Sequence, residues 1–236
     1  MNDCVISLLG VTFQYPKSNF KLEIDDLKFN KGQISVIVGG NGAGKTTLTK
    51  LMCGILIADE GEILLDGNDI SKMSLGEIGQ KVNYLFQEPR KQLFTTNVFS
   101  EMTFVGELLD KNMEEVEKKA NMLLEKFNLS HCKTRSVYRL SRGETQRLCI
   151  ASLLMNDLEF LILDEPTTGL DKENREILFK TIDELKNNGI GIAIVTHDNE
   201  LIDKFSENLI ELNGGKVCRL KICQQEINQE NLEENE

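Results

Sequence analysis

Gly39-Gly40-Asn41-Gly42-Ala43-Gly44-Lys45-Thr46 is the stretch that decides the fold of this chain. It fits the pattern G-x-x-x-x-G-K-[ST] and lies between an apolar run, 34–38, and a segment of helical character, 45–54. The spacing has a chemical reason. Glycines let the backbone curl so that successive N–H groups point at a phosphate, and the following helix adds the positive end of its dipole. Lys45 is placed to neutralise β- and γ-phosphate oxygens, and the Thr46 hydroxyl to ligate Mg²⁺.

On its amino-terminal side, residues 34–38 read as a strand buried on both faces. Residues 5–13, 20–27 and 61–65 read as further strands, the last ended by the Asp66–Gly67 turn. The middle of the chain changes period. Met113, Val116, Ala120, Leu123, Leu124 and Phe127 repeat at three and four, which predicts an amphipathic helix, and 143–155 predicts a second. The strand signal returns at 160–163, a helix follows over 171–187 with Gly189 as its stop, and 190–195 is another buried strand. This alternation predicts an α/β fold with a parallel sheet and a helical lobe inserted at about 88–156.

A second chemical motif is Phe160-Leu161-Ile162-Leu163-Asp164-Glu165. An apolar strand delivers two acids at its carboxyl edge, where ligands sit in parallel sheets. Asp164 is expected to hold Mg²⁺ through water, and Glu165 to act on the attacking water as general base. With the glycine-rich loop, the pair describes a Mg²⁺-dependent nucleotide hydrolase or kinase.

Composition bounds the setting. The chain has 236 residues and a net charge of −11, of which five negatives belong to Glu226, Glu230, Glu233, Glu234 and Glu236 at the end. That balance argues against binding nucleic acid by phosphate neutralisation. No stretch approaches the roughly 18 apolar residues of a membrane span. Met1 to Leu9 lacks the basic start of a secretion signal, so a cytoplasmic location is expected. Six cysteines, at 4, 53, 132, 149, 218 and 223, form no C-x-x-C pair. Cys53 and Cys149 read as reduced core thiols. His131–Cys132 is a loose polar segment, and with two histidines in the chain a zinc site is expected to lack ligands.

Between the two chemical motifs lies Leu140-Ser141-Arg142-Gly143-Glu144, followed by Gln146-Arg147. Here the chain resembles the ATP-binding subunits of ABC transporters, whose signature reads LSGG[QE]…QR. The same residues also read as a Ser-capped helix start with Glu144 closing a capping box, and the two readings are compatible. The resemblance implies a P-loop NTPase: a mostly parallel central sheet, an N-terminal antiparallel β subdomain and an inserted helical subdomain. It implies a single domain over 1–222, with the RecA-like core and antiparallel part at 1–87 and 157–222 and the helical subdomain at 88–156; the acidic composition of 223–236 predicts a flexible tail after it.

Site roles follow from the same resemblance. Tyr15 is expected to stack on adenine, and Gly39, Gly40, Asn41, Gly42, Ala43, Gly44, Lys45, Thr46 and Thr47 to bind the phosphates. Gln87 resembles the Q-loop glutamine that reaches Mg²⁺ and the attacking water, so Thr46, Gln87 and Asp164 are the expected Mg²⁺ ligands. Glu165, His197 as the switch histidine, and Gln87 are the expected catalytic set. Thr167 to Asp171 resembles the D-loop. Leu140, Ser141, Arg142, Gly143 and Glu144 are expected to act on the ATP of a second cassette, in a homo- or heterodimer.

The stretch Phe86-Gln87-Glu88-Pro89-Arg90-Lys91-Gln92-Leu93-Phe94 resembles the FQ-x-P-x-x-QLF segment of energy-coupling factor importers, which take up vitamins and transition-metal ions. It implies membrane subunits docking near Gln87–Phe94 and a location on the cytoplasmic face of the membrane. Leu93 and Phe94 also read as lobe core. The alternatives are a soluble non-transport ATPase of the family or an exporter subunit. Two departures stand out: Arg142 replaces the first signature glycine, which strains the backbone if that position needs φ > 0, and Asn97 stands where the importer pattern has Thr.

Overall fold

The apolar run after Gln33 becomes β3 (Ile34–Gly39), whose first four residues are all buried. In the computed structural model, residues 4–222 and 225–228 are described. Eleven strands form one sheet in the order β5-β4-β1-β2-β10-β9-β3-β8-β7-β6, with β11 beside β10. These are β1 (Cys4–Gln14), β2 (Lys21–Asn30), β4 (Glu60–Leu65), β5 (Asn68–Asp69), β6 (Val82–Leu85), β7 (Phe160–Asp164), β8 (Gly191–Val195), β9 (Asn208–Asn213), β10 (Lys216–Ile222) and β11 (Gln225–Asn228). The helices are α1 (Lys45–Met52), α2 (Leu75–Lys81), α3 (Val98–Leu108), α4 (Met113–Lys126), α5 (Arg142–Leu153), α6 (Lys172–Asn187) and α7 (Asn199–Phe205).

The sheet has two characters. β9, β3, β8 and β7 are parallel neighbours, and every residue of β7 and β8 is buried, as the continuous apolar runs predict. β1, β2, β4 and β5 pair antiparallel, with alternating burial such as the pattern along β2. The sequence reading therefore holds for the fold class. It omitted β5 and β6, which are two and four residues long, and α2, α3, α7, β9, β10 and β11.

The chain divides into two compact units. One holds the sheet: among the described residues, 4–84, 159–165, 182–222 and 225–228. The other, 85–158 and 166–181, is helical, and there α3, α4 and α5 pack on one another. The helical unit thus includes residues 166–181, which hold the segment expected to be the D-loop and the first part of α6, beyond the 88–156 expected. Four residues of the stretch expected to be a flexible tail, Gln225–Asn228, pair as β11 with β10. The remainder of that tail, and Cys223, lie outside the described residues.

In the sheet unit, Phe160 and Phe29 are each 1% exposed and meet edge to face, with ring centroids 5.7 Å apart. Phe160→Ala leaves a void there and is expected to lower unfolding free energy by about 3–5 kcal/mol, read from urea unfolding.

Candidate nucleotide site

The phosphate loop is built by β3 and α1. Gly44 is the cap of α1 with φ 107, a conformation that disfavours any side chain, and α1 receives no side-chain cap. A Cβ at Gly44 would lie 2.9 Å from both Leu22 Cδ1 and Phe20 Cζ. The first-turn N–H groups of α1 are thereby left to meet an anion. Lys45 Nζ donates to Gly39 O at 2.6 Å and Gly40 O at 3.0 Å. The ammonium therefore lies over the loop it is expected to serve. Thr46 is exposed beside it.

β8 lies between β3 and β7, and Ile37 and Asp164 both pair with Val195. The loop after β3 and the two acids at the end of β7, Asp164 within it and Glu165 just past it, thus leave the same edge of the parallel sheet. Asp164 is 4% exposed, and burial pushes its carboxyl above the usual range, opposed by a hydrogen bond from Tyr84 and by the charges of Lys45 and Lys50. Tyr84 Oη donates to Asp164 Oδ2 at 2.9 Å, and the Thr49 hydroxyl donates to Tyr84 Oη at 3.2 Å. This chain fixes the aspartate relative to α1.

Glu165 has φ 50, a left-handed conformation that costs a non-glycine residue about 1–3 kcal/mol. Its N–H donates to Val195 O at 2.8 Å. Its carboxylate accepts from the Thr196 hydroxyl at 3.4 Å and lies 3.8 Å from His197 Nε2. The structure therefore brings Glu165 and His197 together. His197 is half exposed, its side chain at 53%. Tyr15 packs edge to face on Phe13, centroids 4.8 Å apart, and its hydroxyl accepts from Thr47 Oγ1 at 3.4 Å.

In the helical unit, Ser141 caps α5: its Oγ accepts from Glu144 N at 3.2 Å, and its N–H donates to Glu144 Oε2 at 2.7 Å. The capping box and the signature are thus the same residues. Arg142 begins α5 without a positive φ, so no strain arises there. Its stem packs on Gly169, where an added Cβ would be 2.7 Å from Arg142 Cδ. Leu140 is buried, and its carbonyl accepts from Arg90 Nη2 at 3.0 Å. Asp171 Oδ1 accepts from Asn174 N at 2.9 Å, a cap-like bond at the start of α6. Gln87 is exposed in the turn after β6. Asn97 caps α3, accepting from Ser100 N at 2.9 Å, which is work a Thr in that position also does.

Phe94 is 76% exposed rather than core, with its ring stacked on Phe104 at 6.3 Å. Glu101, 7% exposed, holds that loop by accepting from the N–H groups of Phe94 at 3.1 Å and Thr95 at 2.9 Å. Sequence reasoning missed Tyr84, Thr49 and Glu101. For Tyr84 a signal existed: a tyrosine in the apolar run Val82–Leu85 needs a partner for its hydroxyl.

Tyr84→Phe removes the bond that opposes Asp164's burial. Asp164 then titrates at still higher pH. A site that needs the carboxylate ionised loses activity on the acid side, and that limb is expected to move upward in pH, with Mg²⁺ affinity about tenfold weaker. A pH–rate profile with a Mg²⁺ titration reads both.

The glycine-rich loop, the acidic strand end and the capped signature helix define a nucleotide-hydrolysing cassette. A family model described as ABC transporter matches residues 22–168, and the chain belongs to that family, whose ATPase domain it carries. It is 37% identical, over 90% of its length and 69% of the relative's, to the energy-coupling factor transporter ATP-binding protein EcfA of Methanothermobacter thermautotrophicus. Among solved structures it resembles cbiO1 of Clostridium perfringens, part of the ABC transporter complex cbiONQ, with TM-score 0.81 and 27% identity over 99% of this chain and 92% of that one. It also shares the fold of a dimeric ATP-binding cassette bound to ADP and phosphate, TM-score 0.81 at 24% identity over 93% of this chain and 99% of that one. No helix among the described residues is long and apolar enough to cross a membrane.

Proposed function

We propose that this chain is the ATP-hydrolysing cassette of an energy-coupling factor type importer for a vitamin or metal ion, working on the cytoplasmic face of the membrane. The observation that carries this reading is the likeness to EcfA across 90% of the chain. The exposed Phe94, stacked on Phe104 and held out by Glu101, supports a docking surface for membrane subunits near Gln87–Phe94.

In this reading ATP lies on the first turn of α1, with Lys45 on the β- and γ-phosphates and Tyr15 against the adenine. Oxygen donors suit Mg²⁺, and Thr46, Asp164 (through water) and Gln87 supply them. Bound Mg²⁺ neutralises charge that develops on the phosphates. Glu165 takes a proton from water as the water oxygen bonds the γ-phosphorus. The bond to the β–γ bridging oxygen breaks, and ADP and phosphate leave. His197, beside Glu165, contacts the γ-phosphate. Ser141 to Gly143 completes the site of a second cassette, and Asp171 lies at that junction.

The test is a gentle detergent pull-down of the tagged chain from its own membranes. Integral membrane subunits and a second cassette are expected among the partners. A purely soluble partner set overturns the transporter reading.

A further inference from the structure

We propose that His131, Cys132 and Glu144 form a binding site for a thiophilic divalent cation of the Zn²⁺ and Cd²⁺ class at the foot of the signature helix. The sequence places His131 and Cys132 together and Glu144 twelve residues on, in a different element, which is why spacing alone showed too few ligands. Folding supplies the third. One ligand atom from each residue lies within 4.8 Å of the other two. Glu144 Oε1 is 3.3 Å from His131 Nε2 and accepts from Cys132 Sγ at 3.1 Å.

The two separations that involve Glu144 Oε1 are close to what the metal needs, and the His131–Cys132 pair, within 4.8 Å, closes on it by rotation of the exposed imidazole. Zinc bonds of about 2.3 Å to sulfur and about 2.0–2.2 Å to nitrogen and oxygen, at tetrahedral angles, put the donors about 3.3–3.6 Å apart. The backbone on both sides is fixed. Cys132 N donates to Leu129 O at 2.8 Å, and Arg147 Nε, from α5, donates to Phe127 O at 2.9 Å. His131 is exposed, its side chain at 58%, so a fourth position opens to water. This is the three-ligand pattern of an open zinc site.

Charge also balances. Thiolate and carboxylate together match a divalent cation, and the Cys132 thiol proton leaves to solvent as the sulfur–metal bond forms. Glu144 Oε1 now accepts from Arg135 Nη1 at 3.0 Å. Arg135 is 41% exposed and can turn into water, so it acts as a competitor for that oxygen. The other oxygen keeps its bond from Ser141 N at 2.7 Å, so metal on Oε1 leaves the cap of α5 in place. An ion here stiffens the turn that carries Ser141 and Gly143. Slower ATP turnover is the consequence, and that part alone rests on the function proposed above.

The test titrates Cd²⁺ into the reduced, chelator-washed full chain and follows the ultraviolet thiolate-to-cadmium band, with Zn²⁺ as competitor. One Cd²⁺ is expected, displaced by Zn²⁺. Cys132→Ser should abolish the band. His131→Ala, at an exposed position that preserves folding and metal-free ATPase activity, should weaken binding at least about tenfold, and Arg135→Ala should tighten it several-fold. Cd²⁺ affinity in His131→Ala equal to that of the unmodified chain overturns the site, as does a band that survives Cys132→Ser. If the Cys132 variant does not fold, His131→Ala decides alone. Cd²⁺ bound as expected but without slower turnover removes only the coupling to hydrolysis.

Discussion

Glu165→Gln is expected to lower steady-state ATP hydrolysis by about 10²–10⁴-fold while ATP still binds and holds two cassettes together. The factor is the usual contribution of a positioned general base. Glutamine has the same shape as glutamate but cannot take a proton from water. The backbone reason for a clean substitution is local. Glu165 is held at φ 50 by its own N–H bond to Val195 O at 2.8 Å, and that bond does not involve the side chain. The Thr196 hydroxyl, 3.4 Å from the carboxylate, can meet an amide oxygen instead. So the fold and the phosphate loop should be unchanged, and only the proton acceptor is lost. Phosphate release measures the rate, nucleotide fluorescence the binding, and gel filtration with ATP the trapped dimer. Near-normal turnover in this variant removes Glu165 from the role of base and leaves His197, 3.8 Å away, as the next residue to test.

Much of this site was legible because its chemistry is local in the chain. The phosphate loop is eight consecutive residues between a strand and a helix, and Asp164 and Glu165 end one apolar strand. Each motif carries its own secondary-structure context, so it could be placed without knowing the fold. What stayed hidden depends on contacts between distant segments. Tyr84 reaches Asp164 across 80 residues, and Glu144 meets Cys132 only after α5 packs against the end of α4. Arg142 shows the converse. The sequence raised a strain that the backbone does not have, because the position is simply the first residue of a capped helix. Phe94 was ambiguous for a physical reason: an apolar residue reads the same whether it fills a core or waits for a partner. The described elements omitted by the sequence reading are mostly short, such as β6 with four residues and α7 with seven, where periodicity has too few repeats to register.

Lys45→Ala should weaken ATP binding by about 100-fold or more with little loss of fold. The ammonium now donates to Gly39 O at 2.6 Å and Gly40 O at 3.0 Å, and these are carbonyls of the loop itself. A bound phosphate offers it a charged acceptor in place of neutral ones, and hydrogen bonds to charged groups are worth about 1.5–3 kcal/mol each. Two such bonds, on β- and γ-oxygens, come to about 3 kcal/mol or more, which is at least the stated factor. In the nucleotide-free protein the loss is smaller, because the loop is shaped by Gly44 at φ 107 and by the packing of α1, whose Leu48, Leu51 and Met52 are fully buried. The melting temperature without nucleotide should therefore stay close to that of the unmodified chain, while the upward shift on adding ATP should nearly vanish. Adenosine separates the phosphate contacts from the adenine contacts. In the proposed pose the base rests on Tyr15 and does not touch Lys45, so weak adenosine binding should survive the substitution. An ATP-induced shift as large as in the unmodified chain would mean that the phosphates do not lie on the first turn of α1, and the nucleotide site would have to be sought elsewhere.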